Sequence, residues 1–207
     1  MNRPPRPDFG DERARVNRFV IGKVLGLQEG YLAGRSSARA AVARLRRNVQ
    51  RPYGQDPTIL PLIVDPDAPE VHSPGPTFAE NAVLATLTLY ATHQQSKSVG
   101  VHVPERSFGA ALSLIRLQGQ EERPGVLRRF SSAILADDFD EVRQRLRGLV
   151  QLLKQADRGF DYGLLASDLF DLQSPVTRSA VRLRWGRDFY RVDRQSEAVT
   201  ETGEEHD

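Results

Sequence analysis

The 207-residue chain is 39% hydrophobic and 27% charged, with a formal net charge of +2, the make-up of an ordinary soluble globular protein with room for one domain or two small ones. No run approaches the roughly 18 consecutive apolar residues of a membrane span, and the opening MNRPPRPDFGDERAR has no apolar segment behind its charges, so a membrane protein is excluded, no secretory signal is read and the cytoplasm is the expected location. The absence of cysteine excludes a disulfide framework, a thiolate metal site and a cysteine nucleophile.

Apolar positions recur at three and four rather than at two, which predicts an all-α fold of about eight helices and no sheet. Residues 11 to 31 set Val16, Val20, Val24, Leu27 and Tyr31 on one face, while Gly22, Gly26 and Gly30 weaken the helix and offer another helix a close approach. Ser36 or Ser37 is a candidate cap for a second helix to about Asn48, ended by the turn Arg51-Pro52-Tyr53-Gly54. Residues 56–76 hold six of the thirteen prolines, a long connection with room for one short apolar helix. Thr77 and Glu80 have capping-box spacing ahead of a helix that is apolar nearly all round, the expected core of a first lobe. A further helix over 105–117 buries Phe108, Ala111, Leu112 and Ile115. Gly119 and Pro124 then break the pattern, which divides the chain into an N-terminal lobe, 9–120, and a C-terminal bundle, 121–195.

The second lobe carries four helical signals. Residues 125 to 136 present Leu127, Phe130, Ile134 and Leu135. Asp137, Asp138, Asp140 and Glu141 place negative charge at the start of the next helix, where the macrodipole favours it, and Val142, Leu146, Leu149, Val150 and Leu153 form its buried stripe. That helix ends at Asp157-Arg158-Gly159; DYGLLASDLFDL follows, and Ser174-Pro175 opens the last helix. Residues 196–207 are polar, acidic and aperiodic and read as a disordered tail.

Charge placement says more than the net charge. All 29 lysines and arginines precede residue 195, whereas five of the 27 acids lie beyond it, so the body is basic; only Lys23, Lys97 and Lys154 are lysines. Residues 30 to 55 contain Arg35, Arg39, Arg44, Arg46, Arg47 and Arg51 and not one acid. Such a run wants a polyanion, and arginine's planar fork suits phosphate; the plainer reading is a solvated face answered by acids from elsewhere in the fold. On the last helix, about 100° per residue gathers Val181, Trp185, Phe189 and Val192 on one face and Arg184, Arg187, Arg191 and Arg194 on another. Trp185 is read as core rather than as a base-stacking platform, and the arginines as a second phosphate-contacting strip. Arg128 and Arg129 form a third basic pair.

Catalytic constellations are missing from the sequence. His72, His93, His102 and His206 are isolated, with no metal-ligand spacing, and there is no phosphate loop, nucleophile elbow or dinucleotide fingerprint. No cofactor, metal or enzymatic activity is expected. Two readings stay open: a nucleic-acid-binding scaffold, and a helical protein–protein adaptor whose arginines meet acidic partner surfaces. A helix-turn-helix regulator is disfavoured because the pair around 36 to 54 runs into a proline-rich loop.

Four co-linear segments, ARAAVARLRR (38–47), TFAENAVLATLTLYATH (77–93), RRFSSAIL (128–135) and the stretch from Tyr162 to Tyr190 with DYGLLASDLFDL and VRLRWGRDFY, resemble the CasB family, the small subunit of the type I-E CRISPR interference complex Cascade. The resemblance implies a non-catalytic, two-lobed helical subunit, present as two copies head to tail. It implies bridging of the large subunit to the backbone subunits that hold the CRISPR RNA, and basic surfaces that help hold target and displaced DNA strands of the R-loop. The family's basic surface would fall on Arg39, Arg44, Arg46, Arg47 and the arginines of the last helix.

Overall fold

The computed structural model describes residues 8–71, 73–118, 121–122 and 124–191. The chain is all-α, with nine α-helices among the described residues. One two-residue antiparallel pairing, Leu117–Gln118 with Glu121–Glu122, lies between the fifth and sixth helices.

Helix α1 (Phe9–Leu32) starts where the Asp8 side chain accepts from the Gly10 amide, and it buries Val16, Val20 and Val24, one residue per turn. Its glycines play unequal parts. A Cβ on Gly30 would stand 2.8 Å from Ala38 Cβ, so only glycine permits that approach of α1 to α2, whereas Gly22 and Gly26 have nothing within 4 Å. A second close approach to α1 comes from a glycine on another helix of the chain: a Cβ on Gly163 would stand 2.5 Å from the Ile21 side chain. Helix α2 (Ser36–Arg47) begins one residue earlier than the serines suggest, with Arg35 at the cap and no side-chain cap bond. The tight turn explains this. The Arg35 amide already donates to Gly30 O (2.9 Å), and Arg35 O receives the Arg39 amide (3.1 Å).

The proline-rich connection folds a 3₁₀ turn (Pro57–Ile59) and α3 (Leu60–Ile63), the expected short apolar piece, and buries Ile59 and Ile63. Helix α4 (Phe78–Gln94) carries the full capping box: the Glu80 amide donates to Thr77 Oγ1 (3.1 Å) and the Thr77 amide donates to Glu80 Oε2 (2.8 Å). It is buried on every side from Ala82 to Gln94, because α1, α2, α7 and α8 all pack around it. Helix α5 (Phe108–Arg116) leads through the short pairing to α6 (Pro124–Leu135). Of the acids ahead of α7 (Phe139–Gln155), Asp138 is the cap, accepting from the Asp140 and Glu141 amides.

Helix α8 (Tyr162–Asp171) is capped by Asp161 and packs against α1 and α4; α9 (Pro175–Tyr190) is capped by Ser174 and packs against α5. Buried side chains from all nine helices join one core cluster. Its aromatic centre sets Phe108 against Phe160 and Trp185, and Tyr90 edge-on to Tyr162, with ring centroids 5.2, 5.3 and 5.3 Å apart. Phe130 stacks on Phe189 at 4.0 Å. Phe130 lies on the predicted apolar face of α6 and Phe189 on that of α9.

A candidate nucleic-acid interface

Helix α2 buries Ala41, Val42 and Leu45, so Arg46 and Arg47 in its last turn face outward. Cations at a helix C-terminus are favoured by the carbonyl end of the dipole. Facing them across a groove of about 740 Å³ are Gln95 and Lys97, just beyond α4, and Arg147, Gln151 and Lys154 of α7. Five cations thus line one opening, with glutamine amides between them.

Among the described residues one acid answers them. Asp157 pairs with Lys97, and that hydrogen bond and charge hold the Asp157 carboxyl below its usual range. Arg46, Arg47 and Arg147 have no acidic partner among the described residues, and Arg147 Nε is buried without a hydrogen bond. Lys154 Nζ donates to the Thr92 carbonyl (3.1 Å). Burial first, then the charges of Lys97 and Arg46, push its pKa down. Like charges gathered in a half-enclosed cleft repel one another and raise the local affinity for anions.

The other predicted residues divide by what they touch. Arg35 pairs with Glu29, both exposed. Arg51 lies 3.6 Å from Asp56, whose carboxyl is held down at about 2 by bonds from Thr58 and Asn48, with Arg51 adding to them. The ends of the arginine run are therefore answered by acids just outside it, at 29 and 56, while its centre is not. Arg44 donates to Thr58 O at 3.4 Å, and Arg39 is exposed.

On α9, Arg184 pairs with the buried carboxylate of Asp168, which also accepts from Trp185 Nε1 at 2.5 Å. Arg184 is thus tied into the core bond of a buried tryptophan. Arg187 and Arg191 are exposed and border a shallow depression with Leu183 and Asp188; Arg194 lies outside the described residues, as do His72, His206 and residues 196–207. No residue of α9 lines the groove, so the two arginine groups are separate surfaces. Arg128 and Arg129 are exposed on α6.

Lys97, Arg147 and Lys154 escaped the reading of the sequence. Arg147, Gln151 and Lys154 are spaced by four and three, hence on one face, a legible signal; Lys97 in a loop gives none. His93 is a hydrogen-bonded core residue, its Nδ1 2.8 Å from Tyr162 Oη. Among the described residues no group of three His, Asp or Glu side chains could hold a metal ion.

The family model for CRISPR-associated protein Cse2 matches residues 41–190. The chain belongs to the Cse2 family. That match takes in the groove-lining parts of α2, α4 and α7 and all of α9. Among solved structures, the crystal structure of CasB from Thermobifida fusca is 34% identical, with a TM-score of 0.74 over 86% of this chain and 98% of that one. A chain of a CRISPR RNA-guided surveillance complex is 21% identical (TM-score 0.61; 91% and 99% covered), and M. ruber CasB is 24% identical (TM-score 0.56; 78% and 89% covered); these two likenesses speak for the fold. No curated protein matches the chain.

Proposed function

We propose that this Cse2-family chain is the non-catalytic small subunit of the type I-E Cascade complex. In this reading it bridges the large and backbone subunits, sits head to tail with a second copy, and steadies target and displaced DNA strands of the R-loop beside the CRISPR RNA. The observation that carries the proposal is the groove between α2, α4 and α7, with five cations and, among the described residues, a single acid. Arginine and lysine without counter-charges bind a phosphate backbone by releasing its condensed ions, without regard to sequence. A cytoplasmic location belongs to the same proposal; what the structure adds is that no described helix is long and apolar enough to cross a membrane.

The adaptor reading keeps a place on α9. Val176, Leu183 and Tyr190 are exposed there, Val176 by 89%, and their spacing of seven sets them beside Arg187 on a face suited to a protein partner.

Fluorescence anisotropy of labelled single strands and duplex across a salt series tests the groove. The wild-type chain is expected to bind without sequence preference. An Arg46→Ala/Arg47→Ala/Arg147→Ala variant should lose a salt slope of about 0.7 per contact on single strands and about 0.9 on duplex. An unchanged slope would remove the groove from nucleic-acid binding and leave those cations to protein interfaces.

A further inference from the structure

The groove also holds an amine set apart from the other two lysines. Lys23 Nζ lies over the Phe19 ring, 5.3 Å from its centroid, and 3.5 Å from Pro61 O. Lys97 is paired with the Asp157 carboxylate. Lys154 has neither: its partner is the uncharged Thr92 carbonyl, and it lines the groove with Arg46, Arg47, Arg147 and Lys97.

We propose that Lys154 is an acylation site of this chain, the groove seating the phosphate end of an acyl phosphate on Arg46 and Arg147 and presenting its carbonyl carbon to the Lys154 amine. The proposal rests on the anion-holding reading of the groove and adds a chemistry to it.

The physical case has three parts. A lysine is nucleophilic only as the free amine, and desolvation and neighbouring cations are what raise that fraction; burial, Lys97 and Arg46 act on Lys154 in this direction. The groups facing it are Arg46 from α2, Lys97 after α4, Arg147 on its own helix, and His93, buried and uncharged beside it; the nearest carboxylate, Asp157, is engaged by Lys97. Second, the bond to Thr92 O uses one N–H and turns the lone pair of the free amine away from that carbonyl. Third, guanidinium groups bind phosphate through paired N–H donors, which concentrates an acyl phosphate where the amine is.

The step balances without a further reactant. The amine lone pair attacks the carbonyl carbon, a C–N bond forms, the C–O bond to phosphorus breaks, and its electron pair leaves with inorganic phosphate; the nitrogen gives one proton to solvent. The product is a neutral amide, so the groove loses a positive charge.

The test is incubation of the full chain with acetyl phosphate at neutral pH, with initial acetylation rates at Lys23, Lys97 and Lys154 read by peptide mass spectrometry. Lys154 should lead both by several-fold, inorganic phosphate should slow Lys154 alone, and Arg46→Ala should bring it down to the rate of Lys23 with the circular dichroism unchanged. Equal rates at the three lysines, or a lead at Lys154 that phosphate leaves untouched, would overturn the proposal. Oligonucleotide binding on the same preparation separates the two readings. Strand binding with equal lysine rates sinks the acylation site and leaves the strand-holding role standing; phosphate-sensitive labelling of Lys154 without strand binding does the reverse.

Discussion

Acidification should destabilise this protein through His93, by an amount that follows from its burial. The ring is 1% exposed, its Nδ1 is bonded to Tyr162 Oη, and it stacks against Phe160 with centroids 5.7 Å apart. Burial chiefly, then the charges of Lys154 and Lys97 against a smaller opposing pull from Asp157, bring its pKa from 6.5 down to about 3. A histidine depressed in the fold is neutral in the native state while the unfolded chain takes up a proton. The stability it contributes is therefore complete above 6.5 and is lost as pH falls from 6.5 towards 3. Between pH 7 and pH 5 the loss from this one group is about 2 kcal/mol. At about 2–4 °C per kcal/mol for a chain of this size, that is roughly 4–8 °C in melting temperature.

The comparison is between the wild-type chain and His93→Gln, each melted at pH 7 and pH 5. His102, also depressed by burial, acts in the same direction, and the raised carboxyls of Asp168 and Asp171 act in the opposite one. All three are common to both proteins and cancel in the difference. Whatever the stability of His93→Gln at pH 7, its drop between the two pH values should be smaller by that amount. An equal drop in both proteins would refute the assignment of the acid sensitivity to a buried neutral imidazole.

Asp168→Ala strands the buried Trp185 N–H without an acceptor and opens a small void; with Arg184 41% exposed and free to turn to water, the loss should be about 2–4 kcal/mol by urea titration. Gly109→Ala would put a Cβ 2.6 Å from the Trp185 carbonyl oxygen, which is backbone, and overpacking of that kind should cost about 1–3 kcal/mol. Gly186→Ala on α9, with nothing within 4 Å, should instead stabilise by about 0.5–1 kcal/mol, both read from melting curves. Arg187→Ala/Arg191→Ala should leave stability within about 0.5 kcal/mol, and if α9 is a protein face it should also leave the salt slope for single strands unchanged.

The helices were legible because each carries its own periodic stripe and end signals: Thr77 with Glu80, Asp138, Ser174 with Pro175. Helix α2 shows where local signals stop, since its start is set by the tight turn that Gly30 allows and not by the two serines. That α8 would lie against α1 and α4 depends on Gly163 meeting Ile21, a contact between residues 142 apart in sequence that no local pattern encodes. The site was half legible for the same reason. The arginine run could be seen, with the acids that answer its ends, Glu29 and Asp56, just outside it, whereas its groove partners (Lys97, Arg147, Lys154) come from other segments, so which cations gather at the groove is a property of the fold.

Because α4 is enclosed from Ala82 to Gln94, the amides of that stretch have no route to solvent short of opening the whole molecule. Hydrogen exchange should therefore rank Ala82–Thr92 slowest, at the global unfolding free energy, and that protection should hardly change when a partner binds. The footprint of any ligand would be written in the outer turns of α2 and α7 and in residues 95–99, with α4 as the fixed reference against which they are measured.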